Sequence, residues 1–113
     1  MHEMSLAERI VEIITEQAQQ QPFTRVLRVR LEIGTLAAVE PEALRFGFTV
    51  VSRDTVAEAA ILEIIERPAQ GWCFTCSVAV TIVRRGDPCP HCGGWQLQIS
   101  GGDEMRIYDL EVV

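Results

Sequence analysis

Residues 73–92 read Cys73-Phe-Thr-Cys76-Ser-Val-Ala-Val-Thr-Ile-Val-Arg-Arg-Gly-Asp-Pro-Cys89-Pro-His-Cys92, and this stretch decides the architecture. Two C-x-x-C pairs stand 12 residues apart, and no cysteine lies elsewhere. Each pair can turn two thiolates and nearby amides toward one centre. The pattern therefore reads as a zinc site with Cys73, Cys76, Cys89 and Cys92 as ligands. The connector is expected to fold as a hairpin, with Val78, Val80, Ile82 and Val83 on its rising strand and Arg84-Arg85-Gly86-Asp87 at its turn. Four thiolates close the coordination sphere, which points to a structural rather than a catalytic ion. Two disulfides are the competing use of four cysteines, but nothing at the N-terminus directs export to an oxidising compartment. An iron site of rubredoxin type is a further alternative. A thioredoxin-like role needs one pair rather than two, and His91, inside the second knuckle, reads as a bystander.

The composition changes around this stretch. Residues 70–95 hold all four cysteines and both tryptophans, so they read as a separate 26-residue module. A piece that short buries too little apolar surface to fold alone, and metal binding is expected to supply much of its folding free energy. Between Cys73 and Cys92 the ionisable side chains other than the thiols and His91 are Arg84, Arg85 and Asp87, a sum of +1. A zinc tetrathiolate contributes −2, so the module carries about −1. That is a poor charge for nucleic acid and a better one for protein interaction.

Outward from the module, the chain reads as an α/β (α+β) body. Ser5-Leu-Ala-Glu8 has the form of a capping box. Behind it Leu6, Ile10, Ile13, Ile14 and Ala18 form one helical stripe, while Glu8, Glu12 and Glu16 form a like-charged row, read as a solvated face. Residues 24–33 alternate as a strand, with Leu27, Val29, Leu31 and Ile33 opposite Arg28, Arg30 and Glu32. Pro41 suits the first turn of a second helix, apolar nearly all round and so expected to be mostly buried. Residues 59–66 read as another strand closed by Pro68. After Gly101-Gly102, residues 105–112 read as a last strand returning to the first sheet, with Tyr108, Leu110 and Val112 on one face. The expected architecture is two helices on a small mixed sheet with an inserted zinc-ribbon-like module. Its expected division is 1–69 plus 99–113 for the body and 70–98 for the module.

Hydrophobic residues make up 48% of the 113 and charged residues 23%, the balance of a folded globule. Sixteen acidic side chains against ten basic ones give −6, which repels phosphate backbones and anionic membrane surfaces. No apolar run is long enough to span a bilayer, and a cytoplasmic location is expected. All ten basic residues are arginine, so no P-loop lysine exists. No nucleophile–base pair is evident, and no catalytic residue is assigned.

The chain begins Met1-His2-Glu3. A terminal amine with the amide and imidazole of residue 2 forms fused chelate rings around a square-planar ion, a geometry that Ni(II) and Cu(II) favour. A polar residue at a loose terminus is the alternative.

Met1-His2-Glu3-Met4-Ser5, Ile33-Gly34, Val39-Glu40-Pro41-Glu42-Ala43-Leu44 and the double C-x-x-C together resemble the HypA/HybF family, nickel metallochaperones of [NiFe]-hydrogenase maturation. The resemblance runs over essentially the whole chain. It implies Ni(II) as transported cargo and Zn(II) as a structural ion. Carried over, His2 is the imidazole ligand, with the Met1 amine and the backbone around His2 and Glu3 in or beside the ligand set. Glu3 belongs to the motif, and Glu40 is carried over as a ligand or a neighbour of the ligands. The four cysteines match as zinc ligands without departure. The resemblance also implies a HypB-type GTPase and the hydrogenase large subunit as partners, with urease maturation proteins in some organisms. The competing function is a zinc-ribbon protein-interaction or nucleic-acid module whose His2 is incidental.

Overall fold

The computed structural model describes residues 2–113. In chain order it contains α1 (His2–Gln20), β1 (Val26–Gly34), a single 3-10 turn at Thr35–Ala37, α2 (Pro41–Val51), β2 (Ile61–Arg67), β3 (Ala69–Cys73), β4 (Val78–Ile82), β5 (Leu97–Ser100) and β6 (Met105–Val112). Two three-stranded sheets result, ordered β2-β1-β6 and β4-β3-β5. The last strand thus returns to the first sheet, as its position after the metal module predicts. Two compact units form. One comprises the described residues up to Leu31 with Val39–Ile65 and Ile107–Val113; the other comprises Glu32–Ala38 and Glu66–Arg106.

In the first unit α1 begins at His2, three residues before the capping-box start, so Ser5 lies inside the first turn. The reason is tertiary. Glu3 is buried in that turn and accepts the backbone N–H of Glu40 at 3.2 Å, which holds the extra residues in the helix. The buried stripe keeps Ile10 and Ile14 of the expected one but turns toward Ala7 and Val11. Ala7, Ile10, Val11 and Ile14 are buried, whereas Leu6, Ile13 and Ala18 are half-buried. Gly47 of α2 sets this rotation: a Cβ there would stand 3.3 Å from Ala7 Cβ and 3.6 Å from Met4 Sδ, so the helices approach most closely along that line. The acidic row Glu8, Glu12, Glu16 is exposed, with Arg9 paired to Glu12 and Glu16.

Helix α2 starts as its sequence demands, with Pro41 in the first turn and the Glu40 carboxylate accepting the Glu42 N–H at 2.9 Å. Its burial departs from expectation. Leu44, Gly47 and Phe48 are buried, but Phe46 is 67% exposed, because one helix face is enough to meet α1. On β1, Val29, Leu31 and Ile33 of the expected apolar face are buried, but Leu27 is half-buried, and Val26 and Glu32 of the opposite face are buried as well. Arg28 and Arg30 are half-buried and paired, Arg28 with Glu63 at 3.3 Å and Arg30 bidentately with Asp109. This fork holds the Asp109 carboxyl below its usual range. The final strand is thinly covered on the face of Tyr108, Leu110 and Val112. Tyr108 and Val112 are exposed, and only Leu110 of that face is half-buried. Tyr108 lies instead under the Arg30 guanidinium, 5.4 Å from its ring centre.

In the second unit β3 is the central strand. It runs antiparallel to β4, from Ala69↔Ile82 to Cys73↔Val78, and antiparallel to β5, from Gln70↔Ser100 to Cys73↔Leu97. This corrects the expected hairpin. The strand Val78–Ile82 is present, but its partner precedes it, and the first knuckle itself is the hairpin turn. Residues 84–87 form a turn that leads to the second knuckle without a returning strand. Antiparallel strands need only a short loop, and the Cys73–Val78 register gives one. Beneath the sheet Leu36, Ala69, Cys73, Val80, Ile82 and Cys89 form one buried cluster.

Gly102 closes this unit. It has φ +83°, its carbonyl accepts the Leu36 N–H at 2.7 Å, and a Cβ there would stand 2.5 Å from Ala69 Cβ. Gly102→Ala therefore meets both a left-handed backbone and a clash of its new Cβ with Ala69, whose Cβ and Cα stand 2.5 and 2.9 Å from it. We expect a loss of about 2–5 kcal/mol in urea unfolding; an unchanged midpoint would show that the approach is looser than described.

Glu32 is the charged centre of the same unit. Its side chain, 10% exposed, accepts from Arg67 Nε at 2.6 Å and from Arg106 Nε at 2.5 Å. Arg67 first, then Arg106, holds the Glu32 carboxyl below its usual value against the opposing effect of burial. A carboxylate with a depressed folded-state pKa stabilises fully above its unfolded value, about 4.3, and loses that contribution as pH falls through the folded one. Glu32→Gln should therefore be less stable than wild type at neutral pH, with the gap narrowing below about pH 4. Parallel thermal melts across pH check this, and a gap independent of pH would assign the loss to shape rather than charge.

Candidate metal centres

The four cysteines converge because two unlike turns face each other. In the first knuckle Ser77 adopts φ +56° and donates its N–H to Cys73 O at 2.7 Å, while Cys76 N–H points at Cys73 Sγ, 3.4 Å away. In the second, Gly93 at φ +73° donates to Cys89 O at 2.8 Å, and Cys89 N–H returns to Gly94 O at 2.7 Å. His91 N–H points at Cys89 Sγ, also 3.4 Å away. The residues between and after each cysteine pair thus do what the motif needs: they bend the chain and aim amides at sulfur.

All four sulfurs lie within 4.8 Å of one another, with Cys73–Cys92 at 3.7 Å and Cys76–Cys89 at 3.9 Å. A tetrahedral ion with Zn–S near 2.3 Å sets its sulfurs about 3.8 Å apart, so the donor set and its size fit structural zinc. A disulfide needs about 2.05 Å, and all four residues are free thiols. Their electrostatics make the same point. Cys89 is drawn down to about 6, first by the Cys92 backbone N–H and further by that of His91, against burial. Cys76 is pushed up to about 12 by the Cys92 sulfur first and then by burial. Four thiols this close do not all ionise unless a cation sits among them. His91 contributes its backbone, and its exposed ring is not part of the four-residue cluster.

The N-terminal candidates are distributed as follows. Met1 lies outside the described residues. His2 opens α1 and is exposed. Glu3 and Glu40, 37 residues apart in sequence, are brought together: Glu3 Oε2 accepts the Glu40 N–H, and Glu40 Oε1 caps α2. The Glu40 N–H first, then Glu3's own N–H, holds the Glu3 carboxyl below its ordinary value, so it stays a carboxylate. That Glu40 reaches Glu3 through its backbone has no signal in the sequence, because every residue but proline carries the same amide. Leu36, which packs under the cysteines, has none either, since its three-residue turn is too short to show periodicity.

The whole chain, not only the cysteine module, has relatives. Residues 1–112 match the family described as "Hydrogenase/urease nickel incorporation, metallochaperone, hypA". The chain belongs to the HypA family. It is 57% identical over 112 residues to the hydrogenase maturation factor HypA of Alkalilimnicola ehrlichii and 54% identical to that of Azotobacter vinelandii, each comparison covering 99% of both chains. Its fold is similar to the solution structure of the Ni metallochaperone HypA from Helicobacter pylori, at TM-score 0.69 and 24% identity over 98% of this chain and 97% of that one. A second solution structure of a HypA protein gives TM-score 0.70 and the same identity. As a HypA-family member the chain is a nickel metallochaperone of hydrogenase maturation. A match running from the first residue to 112 reaches far beyond the ribbon, and the reading as a zinc-ribbon module without nickel function is not favoured. Among the described residues no helix is long and apolar enough to cross a membrane.

Proposed function

We propose that Ni(II) is taken by the Met1 amine, the His2 amide and the His2 imidazole, with Glu3 and Glu40 in or beside the ligand set. The observation that carries this reading is the place of His2 at the first position of α1. The first four N–H groups of a helix have no intrahelical partner, so the His2 amide can turn to a metal without breaking the helix ladder. The Glu3–Glu40 bond supports the reading by bringing the two acidic residues of the motif into one place. On this proposal residues 1–69 plus 99–113 serve nickel, and residues 70–98 hold one structural Zn(II) through Cys73, Cys76, Cys89 and Cys92. The zinc tetrathiolate, once bound, supplies a crosslink between the two knuckles and no chemistry at the nickel.

Delivery then needs no catalysis. A nickel ion held by few side chains at a chain end is open to attack by an acceptor's ligands, and it transfers by stepwise exchange. We assign the acceptor as the hydrogenase large subunit, with a HypB-type GTPase as the coupled partner and urease maturation proteins as a second client, in the cytoplasm. Calorimetric titration of the full-length, tag-free, zinc-loaded chain with Ni(II) tests the proposal. One nickel per chain is expected, and a chain that takes up nickel only through its cysteines overturns it.

A further inference from the structure

We propose that the second unit carries a docking site for a protein segment that presents one bulky apolar side chain flanked by carboxylates. The site centres on Trp95, which is 69% exposed yet held in place by its indole N–H, donated to Gly86 O at 3.0 Å. Beside it lies a recess of about 220 Å³ with Leu36, Ile82, Leu97 and Ile99 among its lining. A large exposed aromatic in one fixed orientation beside an aliphatic recess has the makings of a binding anchor, since little side-chain freedom is lost when a partner arrives.

Charge decides what kind of partner fits. The chain is acidic, and Arg9, Arg28, Arg30, Arg45, Arg67 and Arg106 all have carboxylate partners. Arg84 and Arg85, which line the recess, have none among the described residues. Arg85 Nε donates to Leu36 O at 3.2 Å, which steadies its guanidinium at the rim. The recess also includes Asp87, whose carboxylate accepts the Arg84 backbone N–H at 3.2 Å and so is turned to its own loop. The guanidinium of Arg84 makes no ion pair or hydrogen bond among the described residues. Two adjacent uncompensated cations on an acidic protein, at the edge of an apolar recess, complement an acidic segment with an apolar anchor. Nucleic acid fits less well. Trp95 is the one aromatic ring of the recess, whose other apolar lining is aliphatic and offers no second base a stacking platform, and the chain's net charge opposes a phosphate backbone. The site does not involve the nickel residues, and its failure would leave the nickel reading intact.

The test uses the full zinc-loaded chain, isotope-labelled, titrated with the synthetic peptide Gly-Asp-Glu-Leu-Asp-Glu-Gly. The readout is the two indole N–H resonances, assigned with Trp95→Phe. The Trp95 signal is expected to shift saturably while the Trp72 signal stays. Affinity is expected to fall about tenfold for Arg84→Glu, which leaves the fold's own bonds in place, and for the peptide with Gly in place of Leu. Binding should also weaken as salt is raised. No Trp95 response, equal shifts of both indoles, or indifference to Arg84→Glu overturns the proposal. A response to a uridine homopolymer equal to that of the peptide would replace the protein partner with nucleic acid. A Trp95 shift on simple dilution would replace it with a second copy of this chain.

Discussion

Replacing His2 by Ala is expected to lower Ni(II) affinity by roughly 10²-fold or more while leaving zinc content and helix content unchanged. The imidazole is the only side-chain nitrogen donor in the proposed set, and no second histidine stands in for it, since His91 is the other one and lies on the zinc knuckle. His2 is exposed at the first position of α1, so removing its ring takes no packing from the core. One extra residue placed before Met1 is the sharper control. It keeps every side chain but displaces the amine, so the fused rings no longer close around one ion. The same loss is expected, read by calorimetry beside wild type. Glu40→Gln separates two roles of Glu40. It keeps the backbone N–H that Glu3 accepts and removes only the carboxylate charge. A fall in nickel affinity with unchanged stability would place that carboxylate among the ligands. If all the variants bind as wild type does, the N-terminal chelate is wrong.

Zinc removal is expected to have the other large effect, and a regional one. Apparent binding free energies of structural zinc sites run to about 10–16 kcal/mol at neutral pH, comparable to the whole stability of a small domain. Here the cysteines are also part of the apolar core: Cys73 and Cys89 are fully buried with Leu36, Val80 and Ile82. Stripping the ion with a chelator, or changing Cys89→Ser, should therefore abolish hydrogen-exchange protection along β3, β4 and β5. The α1 and α2 amides should remain protected, because the buried side chains of that unit include none of the four cysteines. Uniform loss of protection would show that the two units unfold as one. Retention of protection in β3 would show that the ribbon stands without its metal.

Much of the fold was legible because its signals are local. The strand within residues 24–33 needs only the two-residue period of Leu27, Val29, Leu31 and Ile33, and the start of α2 needs only Pro41 in its first turn and a carboxylate at residue 40. Less local readings failed in instructive ways. On α1 either Leu6 or Ala7 satisfies the helical spacing beside Ile10 and Ile14, and Ala7 is the buried one. The close approach at Gly47 selects between them. Phe46 looks like core in composition and is exposed, because apolarity on every side of a helix does not say which side meets a neighbour.

By itself the sequence determined the cysteine centre, the two helices, the strand that returns after the metal module, and the family. Each of these rests on residue types at short spacing or on a whole-chain motif. Tertiary structure alone decided that β3, and not a returning strand after Arg85, pairs with β4, because strand pairing is a choice among segments that sequence presents as equals. It also decided that Glu32 is shielded between Arg67 and Arg106, and that the Glu40 amide closes on Glu3. These contacts join residues 35, 74 and 37 positions apart, and their energy comes from desolvation and hydrogen bonding that exist only after the chain has brought them together.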